Sequence, residues 1–376
     1  MMQIPFKRNY YTGKELLFLQ EAMQTHHLQG DGIFAERCQS FFRSKYGFSH
    51  NFLTSSCTDA LEICALLLNI QPGDEIIAPA YTFVSTANAF VLRGATIRFA
   101  DSQPHHPNIS VESVEKLITP RTRAIVVVHY AGCAADMDAF VSLAKAHNVF
   151  LIEDAAQAIH AFYKERPLGT FGDLATFSFH DTKNISCGEG GLLVINNPCL
   201  VERAQIIREK GTNRAAFLQG VIQKYEWIDV GSSFVASELS AAFLWAQLQE
   251  IENITFQRLQ NWYDYYATLQ PISASLNICL PHISSYMKHN GNIFYILCQN
   301  IGHRNKLMQH LKRHGVETAF HYTALHQSPF YLKNYPKVDL LQAERFADCL
   351  LRLPLYPSLT KQEIEYVVQS IISFSP

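Results

Sequence analysis

Short apolar segments alternate with amphipathic segments over the first 200 residues of the chain. Largely apolar runs, typical of strands buried on both faces, occupy residues 51–53, 75–78, 96–100, 124–129, 149–152, 175–179 and 192–195. The segments between them repeat with the period of a helix, for example at residues 34–45, 59–68, 82–92 and 137–147. Strands that alternate with helices form mostly parallel sheets. The pattern therefore predicts an α/β fold with a mixed, mostly parallel sheet that helices cover on both faces.

The pattern changes after residue 200. A long helix is predicted over residues 237–254, and further helices over 257–269, 305–314 and 361–372 surround a strand at 292–297. The chain is too long for one small core. We therefore predict a large domain over residues 1–250, including an N-terminal arm, and a smaller α+β domain over residues 251–376.

Composition and charge narrow the class of protein. The net charge of −2 comes without a basic stripe, which argues against nucleic-acid binding. Charge or glycine interrupts every apolar run before membrane-spanning length, and the first residues lack the apolar core of a signal peptide. The nine cysteines are scattered without a Cys-x-x-Cys pair, which argues against a disulfide framework or a zinc site. We expect a cytoplasmic protein that binds neither nucleic acid, membrane nor metal.

Lys183 is the most informative residue of the sequence. It follows the buried strand predicted at 175–179, and a glycine cluster (Gly188, Gly190 and Gly191) separates it from the next strand. A lysine in such a place is costly unless it is paired or used chemically. One chemical use is a Schiff base with an aldehyde cofactor, because a desolvated amine has a lowered pKa and becomes nucleophilic.

Two carboxylates, Glu153 and Asp154, follow the buried strand at 149–152. Ligands of open α/β sheets bind at the carboxyl ends of the strands, where these side chains are expected. A carboxylate there can hold a ring nitrogen protonated, and in pyridoxal phosphate that proton makes the ring an electron sink. The two residues therefore form a candidate site for this cofactor.

Hydroxyl side chains near two strand ends are candidate phosphate ligands. Ser56, Cys57 and Thr58 open the helix at 59–68, where free backbone N–H groups bind anions. A plain helix cap explains these residues about as well. Ser178, just before the lysine, is a second candidate, although a serine bonded to its own strand is the simpler explanation.

Two aromatic side chains, Tyr81 and Phe83, follow the strand predicted at 75–78. An aromatic ring in this place could stack on the flat ring of a cofactor. Aromatic residues belong more often to the core, so this signal is weak when it is taken alone.

Taken together, these segments resemble the sugar aminotransferases, a family of fold-type I enzymes that depend on pyridoxal phosphate. The resemblance runs nearly end to end, and matching runs occur in the order of the family at residues 56–58, 71–79, 79–83, 153–157, 177–191 and 353–357. Within the family, the chain is most similar to the bacterial enzymes that make dTDP-4-amino-4,6-dideoxygalactose, through the runs 81–94, 129–132, 209–214 and 231–233.

The resemblance implies a role for each matching residue. Lys183 would bond the cofactor and move the proton of the reaction, and Asp154 would pair with the pyridine nitrogen. Gln157 would bind the ring hydroxyl, and Phe83, rather than Tyr81, would stack on the ring. The cofactor phosphate would be held by Ser56, Cys57, Thr58 and Ser178.

Ser233 marks a departure from the family. Many members have an asparagine there, which reaches the cofactor phosphate of the neighbouring subunit. A serine can also donate a hydrogen bond, but it is shorter. The family implies a homodimer with its active sites at the interface, in which Ser233 would take the place of that asparagine.

The implied reaction is a transamination in two halves. L-Glutamate gives up its amine, which then passes to C4 of a dTDP-linked 4-keto-6-deoxy sugar, a precursor of lipopolysaccharide, O-antigen or enterobacterial common antigen. One lysine can move the single proton that each half requires. Candidate substrate contacts are Tyr130, Arg214, Lys224, His321 and Tyr322. The basic residues fit a solvated surface equally well, and histidines so placed are more often structural.

Other functions fit the residues less well. A dehydratase of the same family has histidine in place of the lysine, which Lys183 contradicts. A non-catalytic regulator with this fold would be expected to lack Lys183 or Asp154. A nicotinamide enzyme would need the spacing Gly-x-Gly-x-x-Gly before a helix, which the glycines at 188–191 do not have. Amination at C3, or of a UDP-linked sugar, is hardly separable from the favoured reaction by sequence.

Overall fold

A computed structural model describes residues 2–375 of the chain, which fold around a seven-stranded sheet. The strands, in chain order, are β1 (His50–Thr54), β2 (Glu75–Pro79), β3 (Thr96–Ala100), β4 (Thr122–Val128), β5 (Phe150–Asp154), β6 (Phe162–Tyr163), β7 (Arg166–Pro167), β8 (Leu174–Ser178), β9 (Gly191–Ile195), β10 (Met287–Lys288), β11 (Phe294–Leu297) and β12 (Leu350–Leu353).

The strands of the large sheet lie in the order β1-β9-β8-β5-β4-β2-β3. Strand β9 is antiparallel to both of its neighbours, and every other neighbouring pair in this sheet is parallel. Two small antiparallel sheets, β10-β6-β7 and β11-β12, accompany it. The mixed, mostly parallel sheet confirms the predicted fold class.

Helices cover both faces of the large sheet. Along β4, Ile125 and Val127 enter one hydrophobic cluster, whereas Ala124 and Val126 enter a second cluster on the other face. Successive side chains of a strand point to opposite faces, so a strand that is apolar at every position must be covered on both. This arrangement is the reason for the continuous apolar runs in the sequence.

The helices are mostly amphipathic and pack against these faces. In chain order they are α1 (Glu15–Gln24), α2 (Ile33–Tyr46), α3 (Cys57–Leu67), α4 (Ser85–Val91), α5 (Val111–Glu115), α6 (Met137–His147), α7 (Val201–Arg208), α8 (Arg214–Leu218), α9 (Glu238–Gln249), α10 (Ile251–Leu269), α11 (Ile301–Arg313), α12 (Pro329–Asn334), α13 (Leu341–Cys349) and α14 (Lys361–Ile372). Between residues 2 and 375, no helix has the length and apolar character needed to cross a bilayer.

The prediction of one continuous helix over residues 237–254 is wrong. Helix α9 ends at Gln249 and α10 begins at Ile251, because Glu250 leaves helical geometry with φ −108° and ψ 12°. Helix α9 packs on α1 and α2, whereas α10 packs on α14. The break turns the chain from one core towards another, and neither glycine nor proline marks it in the sequence.

A third hydrophobic cluster is formed by the C-terminal part of the chain, and it includes Ile4. The N–H of Ile4 donates to the carbonyl of Gly315 at 2.8 Å, and the N–H of Glu317 donates to the carbonyl of Ile4 at 3.0 Å. The N-terminal arm therefore joins the start of the chain to its C-terminal part. The division of the chain at residue 250 stays a prediction.

Candidate active site

A cavity of about 730 Å³ lies beside the carboxyl ends of β5 and β8. Its walls come from three parts of the chain, represented by Asp154 and Ser178 of the sheet, Tyr10 of the N-terminal arm and Arg352 of β12. The volume is typical of a small-molecule site. The predicted site residues that line it are Ser56, Cys57, Thr58, Phe83, Asp154, Gln157, Ser178, Lys183, His321 and Tyr322.

Lys183 lies in the turn after β8. Its backbone N–H donates to the carbonyl of His180 at 2.9 Å, and the N–H of Asp181 donates to the carbonyl of Gly188 at 2.8 Å. Burial lowers the pKa of the Lys183 amine, and the nearby charge of Asp154 opposes this shift without cancelling it. A larger fraction of the amine is therefore neutral, and so nucleophilic, than in a solvated lysine.

Asn184 joins the lysine turn to the C-terminal part of the chain. Its Nδ2 donates to the carbonyl of Asn290 at 2.9 Å, and its Oδ1 accepts from Nδ2 of Asn292 at 2.8 Å. Two amide hydrogen bonds therefore hold the backbone next to Lys183, which limits the directions that the lysine side chain can take.

Asp154 is the last residue of β5, and its carboxylate lines the cavity. Oδ2 accepts from the hydroxyl of Thr86 at 2.7 Å, and Oδ1 accepts from the N–H of Ala156 at 3.2 Å. Burial raises the pKa of this carboxyl, against the effects of Thr86, Ala156 and the charge of Lys183. A carboxylate can accept about four hydrogen bonds, so Asp154 can still accept one from a protonated ring nitrogen.

Glu153 points away from the cavity, because neighbouring side chains of a strand lie on opposite faces. Its carboxylate is fully buried and accepts from Nε2 of His129 at 3.0 Å. It also accepts from the backbone N–H groups of Gly169 and Gly172 at 2.8 Å and of Phe171 at 2.7 Å. Of the two carboxylates that the sequence places here, one therefore holds a loop and the other faces the cavity.

The turn before α3 forms an anion cradle, defined here as Ser56, Cys57 and Thr58. Ser56 caps the helix, since its Oγ accepts from the N–H of Asp59 at 3.0 Å. The N–H groups of Cys57 and Thr58 donate to no acceptor among residues 2–375. Gly191 approaches the cradle so closely that an added Cβ would lie 2.5 Å from the Cys57 nitrogen. Free N–H groups at the start of a helix bind anions, so the cradle can be both a cap and a phosphate site.

Pyridoxal phosphate fits these groups. The cavity wall brings together the Lys183 amine, whose pKa is lowered by burial, a carboxylate with free acceptor capacity at Asp154 and two unpaired N–H groups in the anion cradle. Ser178 adds a hydroxyl, whose Oγ also accepts from the N–H of His180 at 3.3 Å. These are the donors and acceptors that an aldehyde, a ring nitrogen and a phosphate require.

Of the two candidate stacking residues, only Phe83 lines the cavity. Its side chain is 56% exposed, so its ring is free to contact a ligand. Tyr81 is buried behind the cavity wall, where its ring packs against Tyr130 and Tyr322 with centroids 5.5 Å apart in each pair. In this position Tyr81 belongs to the core.

Two hydrogen bonds and one stacking contact connect Gln157 with three predicted substrate contacts. Nε2 of Gln157 donates to the hydroxyl of Tyr322 at 2.9 Å, and Oε1 of Gln157 accepts from the N–H of Ala131 at 2.7 Å. The ring of Tyr322 stacks on His321 at 3.7 Å, and the hydroxyl of Tyr130 lies 2.8 Å from Nδ1 of His321. Burial lowers the pKa of His321, so the imidazole is neutral. Tyr130 itself lies behind the wall and contacts the cavity-lining residues His321 and Tyr322 from there.

Besides Tyr130, three predicted site residues lie outside the cavity wall. Arg214 begins α8 and pairs with Glu209 at 3.5 Å, and Lys224 and Ser233 are exposed in the segment that follows. Their roles towards a substrate or a partner subunit stay predictions. Among residues 2–375, no group of histidine, cysteine or acidic side chains is arranged to hold a metal ion.

Sequence reasoning missed several residues of the site. Thr86, which bonds Asp154, lies in a run for which the sequence predicts only a helix after an aromatic pair. Arg352 lines the cavity from β12, a strand that the sequence pattern did not predict. The N-terminal arm lines it as well, and the side chains of Lys7 and Asn9 bond the carboxylate of Asp181. The sequence offered one signal for these residues: they are polar and lie within or beside the runs that match the family, or in the N-terminal arm.

Known proteins resemble the chain over nearly its whole length. The uncharacterized protein MJ1066 of Methanocaldococcus jannaschii is 33% identical over 347 residues, which are 90% of this chain and 88% of that protein. The aminotransferase TlmJ of Streptoalloteichus hindustanus superposes with a TM-score of 0.90 at 27% identity and 98% coverage of both chains. DesV of S. venezuelae superposes with a TM-score of 0.88 at 29% identity, over 99% of this chain and 98% of that chain.

The family model of the DegT/DnrJ/EryC1/StrS aminotransferases matches residues 10–372. The match includes Lys183, Asp154 and the anion cradle, which together line the cavity. An aminotransferase of this family is an enzyme, so the alternative of a non-catalytic regulator is set aside. The predicted family is confirmed: this chain belongs to the DegT/DnrJ/EryC1/StrS sugar aminotransferases and is a transaminase that uses pyridoxal phosphate.

Proposed function

We propose that this transaminase moves the amine of L-glutamate to C4 of a dTDP-4-dehydro-6-deoxyhexose. The product is a dTDP-4-amino-4,6-dideoxyhexose, with the galactose configuration favoured. The observation that carries the reaction type is the shared cavity of Lys183 and Asp154. The choice of sugar rests on the runs 81–94, 129–132, 209–214 and 231–233, which resemble the dTDP-4-amino-4,6-dideoxygalactose transaminases.

The cofactor would be held by residues that already have suitable geometry. Asp154 would accept a hydrogen bond from the ring nitrogen, and Gln157, whose amide is oriented by Ala131 and Tyr322, would bind the ring hydroxyl. The anion cradle and Ser178 would hold the phosphate, and Phe83 would cover one face of the ring. When bound, pyridoxal phosphate carries the amine between the two half-reactions and withdraws electrons from the reacting carbon.

Lys183 is the group that moves the proton in each half-reaction. Because burial lowers the pKa of its amine, Nζ can accept the proton from Cα of the amino-acid donor. In the second half-reaction, the same Nζ returns a proton to C4 of the sugar. The carboxylate of Asp154, which lines the same cavity, would keep a negative charge close to the ring nitrogen of the cofactor.

The sugar would enter the cavity on the side of His321 and Tyr322. Both side chains are neutral and line the wall, so they can exchange hydrogen bonds with sugar hydroxyls. The hydroxyl of Tyr130 can donate to Nδ1 of His321, which leaves Nε2 as a donor. Arg214 and Lys224 are then proposed to meet the diphosphate at the mouth of the site.

We further propose a homodimer that operates in the cytoplasm. Apolar side chains are exposed close to Arg214 and Ser233, namely Phe217, Leu218, Val221, Trp227 and Ile228. Exposed apolar side chains that cluster in one segment favour a contact with another protein, and a second copy would bring Ser233 to the partner's phosphate. All nine cysteines are free, which fits a reducing compartment.

Product analysis by NMR tests the proposal directly. The purified enzyme, pyridoxal phosphate and L-glutamate are incubated with a panel of dTDP-linked and UDP-linked 3-keto and 4-keto sugars. We expect amine at C4 of the dTDP-linked 4-keto sugar. Amine at C3, preference for a UDP sugar, or no turnover of any 4-keto sugar would replace the assignment by the alternative.

Borohydride reduction tests the role of Lys183 separately. Treatment of the yellow holoenzyme should attach a pyridoxyl group to Lys183, detected by mass spectrometry of the digested protein. Lys183→Ala should lose the label and transamination together. Transfer of amine by Lys183→Ala at the wild-type rate would contradict the mechanism.

A further inference from the structure

Arg352 carries a positive charge into the cavity without an acidic partner. It lies in β12, opposite Tyr295 of β11, and its side chain lines the cavity wall. Nη2 donates to the carbonyl of Phe320 at 3.1 Å, and the ring of Phe6 lies 4.8 Å from the guanidinium. Its Nε is buried and has no hydrogen-bond partner among residues 2–375. Most of the donor capacity of this arginine is therefore unused.

The other cations of the cavity wall are already satisfied or already assigned. Lys7 pairs with Asp181, and Arg8 pairs with Glu363 at 3.5 Å. Arg258 donates to two backbone carbonyls, at 3.0 and 2.8 Å, and so holds a turn. Lys183 is the reactive amine. Arg352 is thus the cation of the cavity wall that has neither an acidic partner nor an assigned role among residues 2–375.

The charge of Arg352 acts where the chemistry takes place. It lowers the pKa of Lys183 in addition to burial, and it has the same effect on His321. A second cation beside a reactive amine is unfavourable unless an anion comes between or beside the two. A ligand with a negative charge close to the reacting atom would offset this repulsion and would meet the unpaired donors of Arg352 in the cavity wall.

We propose that Arg352 binds the α-carboxylate of the amino-acid donor. This inference rests on the proposed use of an α-amino acid as the source of the amine. The α-carboxylate is bonded to the carbon that gives up its proton to Lys183, so both groups must be contacted at once. The diphosphate of a sugar nucleotide is attached to C1, across the ring from the C4 carbonyl, and so lies farther from the reacting carbon. A planar guanidinium with free donors matches a carboxylate with two hydrogen bonds.

Measuring the two half-reactions separately distinguishes binding of the donor carboxylate by Arg352 from binding of the sugar nucleotide. In one arm, holoenzyme with the aldehyde form of the cofactor is mixed with L-glutamate, and its absorbance is followed in a single turnover. In the other arm, enzyme with the amine form is mixed with the keto-sugar nucleotide. Arg352→Gln should slow the glutamate arm about 10- to 100-fold, as for the loss of charged hydrogen bonds. The sugar arm should change by less than about twofold.

Two further variants control for charge and for folding. Arg352→Lys keeps the charge but loses the planar fork, so we expect an intermediate loss in the glutamate arm. Arg345→Gln is the matched control, because Arg345 is exposed outside the cavity and also donates to a backbone carbonyl, that of Pro104, at 3.1 Å. It should react like the wild type in both arms. If Arg352→Gln does not fold, Arg352→Lys still tests the inference. A normal rate in its sugar arm shows that its site is folded.

Donor choice gives an independent readout. Wild-type enzyme should prefer L-glutamate to 4-aminobutyrate, which lacks the α-carboxylate, and Arg352→Gln should reduce this preference by the same 10- to 100-fold factor. Equal losses in both arms, a loss confined to the sugar arm, or no loss would each overturn the inference. So would a wild type that prefers 4-aminobutyrate. If no keto sugar accepts the amine, only the proposed acceptor is refuted, because the reaction with L-glutamate still tests the role of Arg352.

Discussion

Glu153→Gln should destabilise the protein far more than Glu344→Gln, although each carboxylate faces a histidine at the same distance. Nε2 of His129 lies 3.0 Å from Glu153, and Nε2 of His326 lies 3.0 Å from Glu344. The first pair is completely buried, whereas 28% of the Glu344 side chain is exposed. The two substitutions are chemically identical, so any difference reports the surroundings of the carboxylates.

The magnitude follows from the donors around each oxygen. At Glu153, one oxygen accepts from His129 and Gly169, and the other accepts from Phe171 and Gly172. An amide NH₂ in place of either oxygen leaves two buried donors without an acceptor. Each costs about 1–3 kcal/mol, so we expect a loss of about 4 kcal/mol from a total near 5–15 kcal/mol.

His129 cannot relieve this loss by moving its proton to the other ring nitrogen. Its Nδ1 already accepts from the N–H of Ala135 at 3.2 Å, which would then lose its acceptor. At Glu344, by contrast, His326 and the N–H of Leu340 both bond the same oxygen. Glutamine can keep that oxygen, so we expect a cost of about 1 kcal/mol or less.

Urea unfolding of the cofactor-free proteins, followed by circular dichroism at one protein concentration, measures both costs. Burial alone would raise the pKa of Glu153, but the hydrogen bonds from His129 and the backbone outweigh it and lower the pKa below 4.5. The stabilisation by Glu153 is therefore present above pH 4.5 and is lost as the pH falls through the folded-state pKa. A cost below about 1 kcal/mol for Glu153→Gln, or equal costs for the two variants, would refute the reasoning.

Four further outcomes are expected around the cofactor. Gly191→Ala should weaken pyridoxal phosphate binding about 10-fold or more in equilibrium dialysis, because the added Cβ would lie 2.5 Å from the first backbone nitrogen of α3; unchanged affinity would contradict this close approach. Thr86→Val should raise the pKa of Asp154 further, so its binding deficit in a fluorescence titration should shrink as the pH rises; a deficit independent of pH would count against it. The rate at which cofactor-free enzyme takes up pyridoxal phosphate should rise with pH and reach half its maximum below 10.5, because burial lowers the pKa of Lys183; stopped-flow absorbance measures this rate, and a midpoint at or above 10.5 would disagree. Asp154→Asn should move that midpoint lower still, since it removes a charge that raises the pKa of Lys183.

Local patterns were sufficient to predict most of the large sheet and much of the site. The strand predicted at 96–100 and the helix predicted at 137–147 agree with β3 and α6, because the period of apolar residues depends on neighbours in the chain. Lys183 and Asp154 were recognisable for the same reason, since each lies within four residues of the end of a predicted buried strand. Strand β12 was missed because its apolar residues flank Arg352, and its pairing with β11 is a contact across more than fifty residues.

The sequence by itself determined the fold class, the family and the pairing of a lysine with a carboxylate at strand ends. These properties are carried by residues close together in the chain. Only the tertiary structure decided that Asp154 faces the cavity while Glu153 faces away, because the direction of a strand side chain depends on the packing of both faces. It also decided that Arg352 and the N-terminal arm complete the cavity, since their positions depend on contacts between distant parts of the chain that no local pattern encodes.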